Sequence, residues 1–240
     1  MKSTFTVPPA RPANRHGLLF SLIAIVTRLQ LSSLIKSSSN PQLLVSLFAV
    51  VSGAVALGTI TAVAMVTHLP LLFPPLAPSA IILFYTPMSK LATPRNVFLS
   101  HFLAVLTGSL VMIILGLIFP ADSLKDSAAM NWPHVIAIAL SIAGTMGLMI
   151  RFDCVHPPAG ASALLVTMGF ISEPGQILSL LSSVMLLILE AILFNRLIGG
   201  LPYPLWRFSP EKAREFSSLA GQTGATNDWQ KLAFRILRKH

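Results

Sequence analysis

The residues best suited to chemistry lie in Asp153-Cys154-Val155-His156-Pro157-Pro158-Ala159-Gly160-Ala161-Ser162. A residue before proline avoids the helical region, so His156 is expected in extended backbone. Proline favours the first helical position, so a helix is expected from about Pro158 to about Phe170, rising roughly 20 Å. Pro157 and Pro158 carry no N–H, which leaves the amides of Ala159, Gly160 and Ala161 as free donors. Such a terminus is partly positive and attracts anions, and Gly160 admits a ligand close to the backbone. Pro74-Pro75-Leu76-Ala77-Pro78-Ser79-Ala80 matches Pro157 to Ala163 at a constant offset of 83. There the donors are Leu76, Ala77 and Ser79. Two helix starts, at Pro75 and Pro158, converging on one point would suit a small anion, with hydroxyl contacts from Ser79 and Ser162. The same features also fit membrane helices bent by proline and packed closely through small residues.

Other polar residues are read against plainer alternatives. Glu190 lies in an apolar run, on one helical face with Ser179 and Ser183. A carboxyl inside a membrane faces a partner or a cavity. Glu190 or His156 could take a proton, or Glu190 could pair with Arg196, Asn195 or an amide in another helix. Arg95-Asn96 and Asn195-Arg196 sit near the ends of spans, where they could draw anions into a vestibule or act as topology anchors and helix caps. His101, one turn into its span, is a pore-lining group or a helix-to-helix hydrogen bond. His156 has no nearby Glu or second His, so no metal is expected. Cys154 is the only cysteine, which leaves no intrachain disulfide and no cysteine-based zinc site. A catalytic triad, a paired-carboxylate site and a nucleotide-binding loop are all missing, so neither an enzyme nor a cofactor is expected.

The elements that must hold these residues are apolar. The 240 residues carry 17 Lys and Arg and 8 Asp and Glu, 10% in all, against 54% hydrophobic residues and a mean hydropathy of +0.75. Soluble chains carry about 25% charged residues, so a soluble globular fold and intrinsic disorder are excluded. Runs at 43–66, 97–119, 133–150 and 176–198 are long enough to span a bilayer. Shorter apolar stretches at 69–86 and 155–171 contain the two proline pairs. The expected fold is an all-α polytopic membrane protein of about six apolar segments in two pseudo-repeats of three, 43–119 and 133–198. Two of the six are proline-broken short helices. Three crossings per half would invert the second half, a plan that recurs in transporters. The alternative is four spans with two re-entrant helices. Ala54/Gly58 and Ala143/Gly147 are read as packing seams.

Charge sets the orientation. With six crossings and a cytoplasmic N-terminus, sixteen Lys and Arg lie inside and only Lys125 outside. With four crossings the ratio is fourteen to three, so the positive-inside rule favours six without excluding four. Because the basic residues sit at the ends and between apolar runs, a nucleic-acid partner is not expected. Residues 1–42 form a basic N-terminal arm followed by an interfacial helix at 18–35, 43–206 the membrane domain, and 207–240 a basic tail. In that tail Trp229, Ala233, Ile236 and Leu237 face away from Lys231, Arg235 and Arg238, as in an amphipathic helix on an anionic leaflet.

The His156-Pro157-Pro158 triplet with the Ala-Gly-Ala-Ser162-Ala after it resembles the signature of the HPP family of integral membrane proteins. Ala80-Ile-Ile-Leu-Phe, Leu91-Ala92-Thr93-Pro94-Arg95-Asn96 with His101, Phe194-Asn195 and Tyr203-Pro204-x-Trp206 are similar to other family motifs. The resemblance covers about residues 45–206, with Pro78 and Thr93 as departures. It implies a multi-spanning bundle, often of four spans, and passage of nitrite in plastid and cyanobacterial relatives. The leading expectation is a transporter or channel for a small anion, in a bacterial inner membrane with both termini cytoplasmic. The partners would be the lipid bilayer and the anion, and a homo-oligomer is compatible. The alternative is a non-transporting scaffold or sensor component.

Overall fold

The computed structural model describes residues 27–119, 131–216 and 219. The basic arm at 1–16, the first half of the expected interfacial helix, Lys125 and the amphipathic tail helix lie outside those residues. The chain runs as α1 (Leu31–Ser37), α2 (Pro41–Thr67), α3 (Leu76–Tyr85), a 3₁₀ turn (Lys90–Ala92), α4 (Pro94–Ile118), α5 (Trp132–Arg151), α6 (Ala159–Thr167), α7 (Pro174–Leu193) continued by a π turn (Phe194–Ile198), and α8 (Pro210–Glu215).

Each long helix starts where its sequence dictates. A proline occupies the first turn of α2, α4, α5 and α7, where its missing N–H costs nothing, directly or closely after Asn40, Thr93, Asn131 and Glu173. The Asn40 and Asn131 side chains accept the amides of Leu43 and His134. Glu173 and Gln176 form a reciprocal capping box. These four helices are long and apolar enough to cross a membrane. The two proline-opened helices are not. α3 has 10 residues and α6 has 9, rises of about 15 Å and 14 Å against a hydrocarbon core of about 30 Å. α6 thus stops three residues before the expected Phe170, with Gly169 at φ 78° just beyond it.

The starts of α2 and α4 and the ends of α5 and α7 share one end of the bundle. Val45 clusters there with Met88 and Leu201. Arg95 donates to the Phe152 and Asp153 carbonyls, and Asn195 to the Leu83 carbonyl. α3 packs on α2 and α7, and α6 on α4 and α5. One continuous apolar cluster joins α2, α3 and α7 through Ile60, Leu83, Phe84 and Leu187. α6 sits in a smaller one with Ala104, Met149, Ala159 and Ala163. Leu117 and Val66 point outward, 85% and 80% exposed, as lipid-facing side chains do; apolar surface on this scale belongs in a bilayer.

The expected packing seams are displaced. Ala54, Gly58, Ala143 and Gly147 face outward, and nothing lies within 4 Å of a side-chain carbon built on Gly58 or Gly147. On α5 the buried face runs through His134, Ala137, Ser141, Thr145 and Met149, and residues 143 and 147 are turned away from it. The close approaches occur elsewhere. A methyl on Gly144 would meet Thr107 Cγ2 at 2.7 Å, and one on Gly108 would meet Val166 Cβ at 3.1 Å.

Candidate functional site

The two proline pairs bring their serines together. Ser79, in the first turn of α3, and Ser162, in the first turn of α6, are both fully buried. Between them stand two imidazoles, His101 from α4 and His156 from the segment before α6, also fully buried with ring centroids 5.5 Å apart. Ser79 Oγ lies 2.9 Å from His156 Nε2, 3.4 Å from His101 Nε2 and 2.8 Å from the Pro75 carbonyl. His101 Nδ1 lies 2.7 Å from Ser162 Oγ. His156 Nδ1 donates to the Leu91 carbonyl at 2.9 Å. His101 therefore bridges helices within the cluster.

The amides expected to hold an anion do not face it. Leu76 N–H bonds to Phe73 O and Ser79 N–H to Pro75 O. Ala159, Gly160 and Ala161 bond to the carbonyls of His156, Pro157 and Pro158. Each short helix begins as a tight turn, and that turn uses five of the six expected donors. The polar groups that converge are side chains. Pro75 contributes its carbonyl to Ser79, whereas Pro157 and Gly160 line an apolar crevice of about 330 Å³ beside Ile142 and Met149.

The 3₁₀ turn Lys90–Ala92 covers the cluster. Buried side chains from three elements hold its three carbonyls: Asn96 Nδ2 on Lys90 O at 3.0 Å, His156 on Leu91 O, and the Tyr203 hydroxyl on Ala92 O. On its outer side is a cleft of about 350 Å³ lined by Lys90, Arg95, Asn96, Asp153, Arg207, Phe208 and Pro210. Lys90 and Asp153 form an ion pair there. The Lys90 hydrogen bond, reinforced by its charge, holds the exposed Asp153 carboxyl below the usual carboxylate range, and burial pushes the Cys154 thiol up. Arg95 meets the two carbonyls just beyond α5, Phe152 and Asp153, a position close to the helix-cap alternative. Lys90, Tyr203 and Arg207 carried no signal of this arrangement, because no spacing links position 90 to 153 or 203.

The remaining expected site residues lie apart. The Glu190 carboxyl is buried on α7 beside the Thr59 hydroxyl, and its Oε2 has no partner. Neither suggested partner reaches it: Arg196 donates to Tyr203 O and Asn195 to Leu83 O. Among the described residues no three His, Cys, Asp or Glu side chains gather at one point.

With this geometry in view, the comparisons are specific. Residues 38–204 match the family described as HPP, transmembrane region. The chain belongs to the HPP transmembrane family and is a multi-pass membrane protein. Two transmembrane proteins of Dictyostelium discoideum are similar to it. One is 32% identical over 139 residues, 54% of this chain and 43% of that protein. The other is 33% identical over 92 residues, 38% of this chain and 26% of that protein. The chain thus spans less than half the length of these curated relatives. No solved structure matches it.

Proposed function

We propose that this protein is a transporter or channel for a small anion, with nitrite as the candidate that the family resemblance implies, and that it acts by transport rather than catalysis. One observation carries the proposal: Ser79 and Ser162, 83 positions apart in matching motifs, meet at one buried imidazole, His101, and Ser79 also holds a second, His156. To bind a small oxyanion, these hydroxyls and imidazole N–H groups exchange the hydrogen bonds they make with one another for bonds to it, and with no fixed countercharge the anion is not trapped. The Lys90, Arg95 and Arg207 side chains supply a positive approach from the cleft.

In this reading the chain crosses six times in two inverted halves. Two pairs of spans support it. α2 and α4 both begin at the Arg95 end of the bundle, as a return of segment 68–93 through the membrane requires. α5 and α7 both end there, as a return of 152–173 requires. Asn96 and Ser179, Ser100 and Ser183, and Thr107 and Glu190 also fall at the offset of 83, and all six are buried. The excess of basic residues supports a cytoplasmic Arg95 end.

The test is nitrite uptake into proteoliposomes by the full chain and by His156→Ala. The account expects uptake above that of empty vesicles, and its loss in the variant. Wild-type uptake no faster than empty vesicles contradicts it.

A further inference from the structure

We infer that His156 is a proton-binding site loaded together with the anion, so that the cargo is one small anion plus one proton. The inference rests on the anion reading and deepens it.

Hydrogen-bond polarity carries the argument. The Leu91 carbonyl can only accept, so His156 Nδ1 must carry a hydrogen. In the neutral ring Nε2 is then bare and accepts the Ser79 hydroxyl at 2.9 Å. Ser79 Oγ is left to accept from His101 Nε2–H at 3.4 Å, and His101 Nδ1, bare in turn, accepts the Ser162 hydroxyl at 2.7 Å. The result is a one-way chain: Ser162 to His101 to Ser79 to His156 to Leu91.

That chain has room for one more proton. If His156 Nε2 gains a hydrogen, it donates to Ser79 Oγ, and the Ser79 hydroxyl hydrogen turns to the Pro75 carbonyl, already 2.8 Å away. No heavy atom moves and every donor keeps an acceptor. His101 has no such outlet, because among the described residues the Ser162 hydroxyl has no second acceptor. The balance is simple: a proton from water bonds to Nε2, the ring becomes an imidazolium, and nothing is oxidised or reduced.

The surroundings make the proton and the anion mutually dependent. Every titratable group on the packed elements is accounted for. The covering turn brings Lys90, and the 152–158 segment brings Asp153, which Lys90 holds, and the buried Cys154. α4 brings Arg95 and His101, and α5 brings His134 and Arg151 at its two ends. α3 has only Tyr85 at its exposed end and α6 has none. α7 has Glu190, facing Thr59, and Arg196, on Tyr203 O; Tyr203 itself donates to Ala92 O. Among the described residues no carboxylate contacts either imidazole. A buried imidazolium without a counter-ion is costly, and a bound anion removes that cost. By linkage each then tightens the other.

The experiment is nitrogen-15 NMR of histidine-labelled full-length protein in lipid bilayers, titrated with and without nitrite, nitrate, formate or chloride. Without anion, His156 is expected as the Nδ1–H tautomer and His101 as the Nε2–H tautomer. On acidification His156 becomes the imidazolium first. A transported anion raises that midpoint by about one pH unit, the tenfold mutual tightening common for linked sites. Ser79→Ala abolishes the rise and Ser79→Thr preserves it. His156 found as the Nε2–H tautomer, His101 protonating first, or no tested anion moving the midpoint overturns the inference. If chloride, nitrate or formate moves the midpoint while nitrite neither moves it nor is taken up, the proton site stands and nitrite is replaced as cargo.

Discussion

The two short helices share a design and differ in chemistry. α3 and α6 each follow a proline pair, begin as a tight turn and place a serine against the same imidazole, His101. The position matching His156 in the first half is Phe73, which packs on the main apolar cluster. α3 is thus set in a continuous wall of Leu, Ile and Phe, while α6 lies among alanines and carries the ionisable ring at its start. In the proposed mechanism one helix holds the cluster in place, and the segment leading into the other supplies the group that changes charge. On α4 and α7 the asymmetry runs the same way at one position, because Thr107 stands where the second half has Glu190.

The sharpest way to break that comparison is to exchange the loss between halves. His156→Ala removes the donor to Leu91 O and the acceptor for Ser79, so anion uptake is expected to vanish while the protein stays folded. Phe73→Ala is expected to lower stability by about 2 kcal/mol, at the low end of core truncations because the ring is half-buried, and to leave uptake per folded molecule unchanged. Uptake rates and thermal melts of both variants check this. The serines sharpen it next. Ser79 touches both imidazoles and Ser162 only one, so Ser79→Ala should cut uptake about tenfold or more and Ser162→Ala less, in keeping with the loss of buried hydrogen bonds. Equal effects would remove the directionality of the chain.

A third expectation concerns packing. Gly144→Ala forces a methyl to 2.7 Å from Thr107 Cγ2 and separates α4 from α5. Its melting temperature should drop, by a free energy of about 1–3 kcal/mol. Gly147→Ala meets open space and should leave the melt unchanged or raise it slightly. The smallest effect is at Asp153. Its carboxyl is held below the usual range by Lys90, so the pair's contribution is present above the ordinary carboxylate value and lost as pH falls through the depressed one. Asp153→Asn should make a small stability change at neutral pH that disappears in acid, read from melts across that range.

What the sequence made legible follows from which physics is local. Proline before a helix, Asn or Thr as a cap and a run of uncharged residues act within a few positions, so the four long helices and the two broken ones could be read. The amides of Ala159, Gly160 and Ala161 were misread because a tight first turn and an open one have the same residues. The seams failed for a geometric reason: alanine and glycine four apart define a stripe on a helix, and nothing in the stripe says which way it faces. Gly108 and Gly144 were invisible because each is small only in relation to Val166 or Thr107 on another helix. The grip of Asn96, His156 and Tyr203 on one three-residue turn is a long-range arrangement with no spacing to betray it.

The most direct measurement of the central claim is the initial rate of nitrite uptake into vesicles containing equal amounts of wild-type protein, the Ser79→Ala/Ser162→Ala double variant, or the outward-facing control Gly147→Ala. The account predicts that wild type and Gly147→Ala exceed empty vesicles by the same margin and that the double variant falls to the empty-vesicle rate. A double variant as fast as wild type would show that the anion does not pass through the buried serine–histidine cluster.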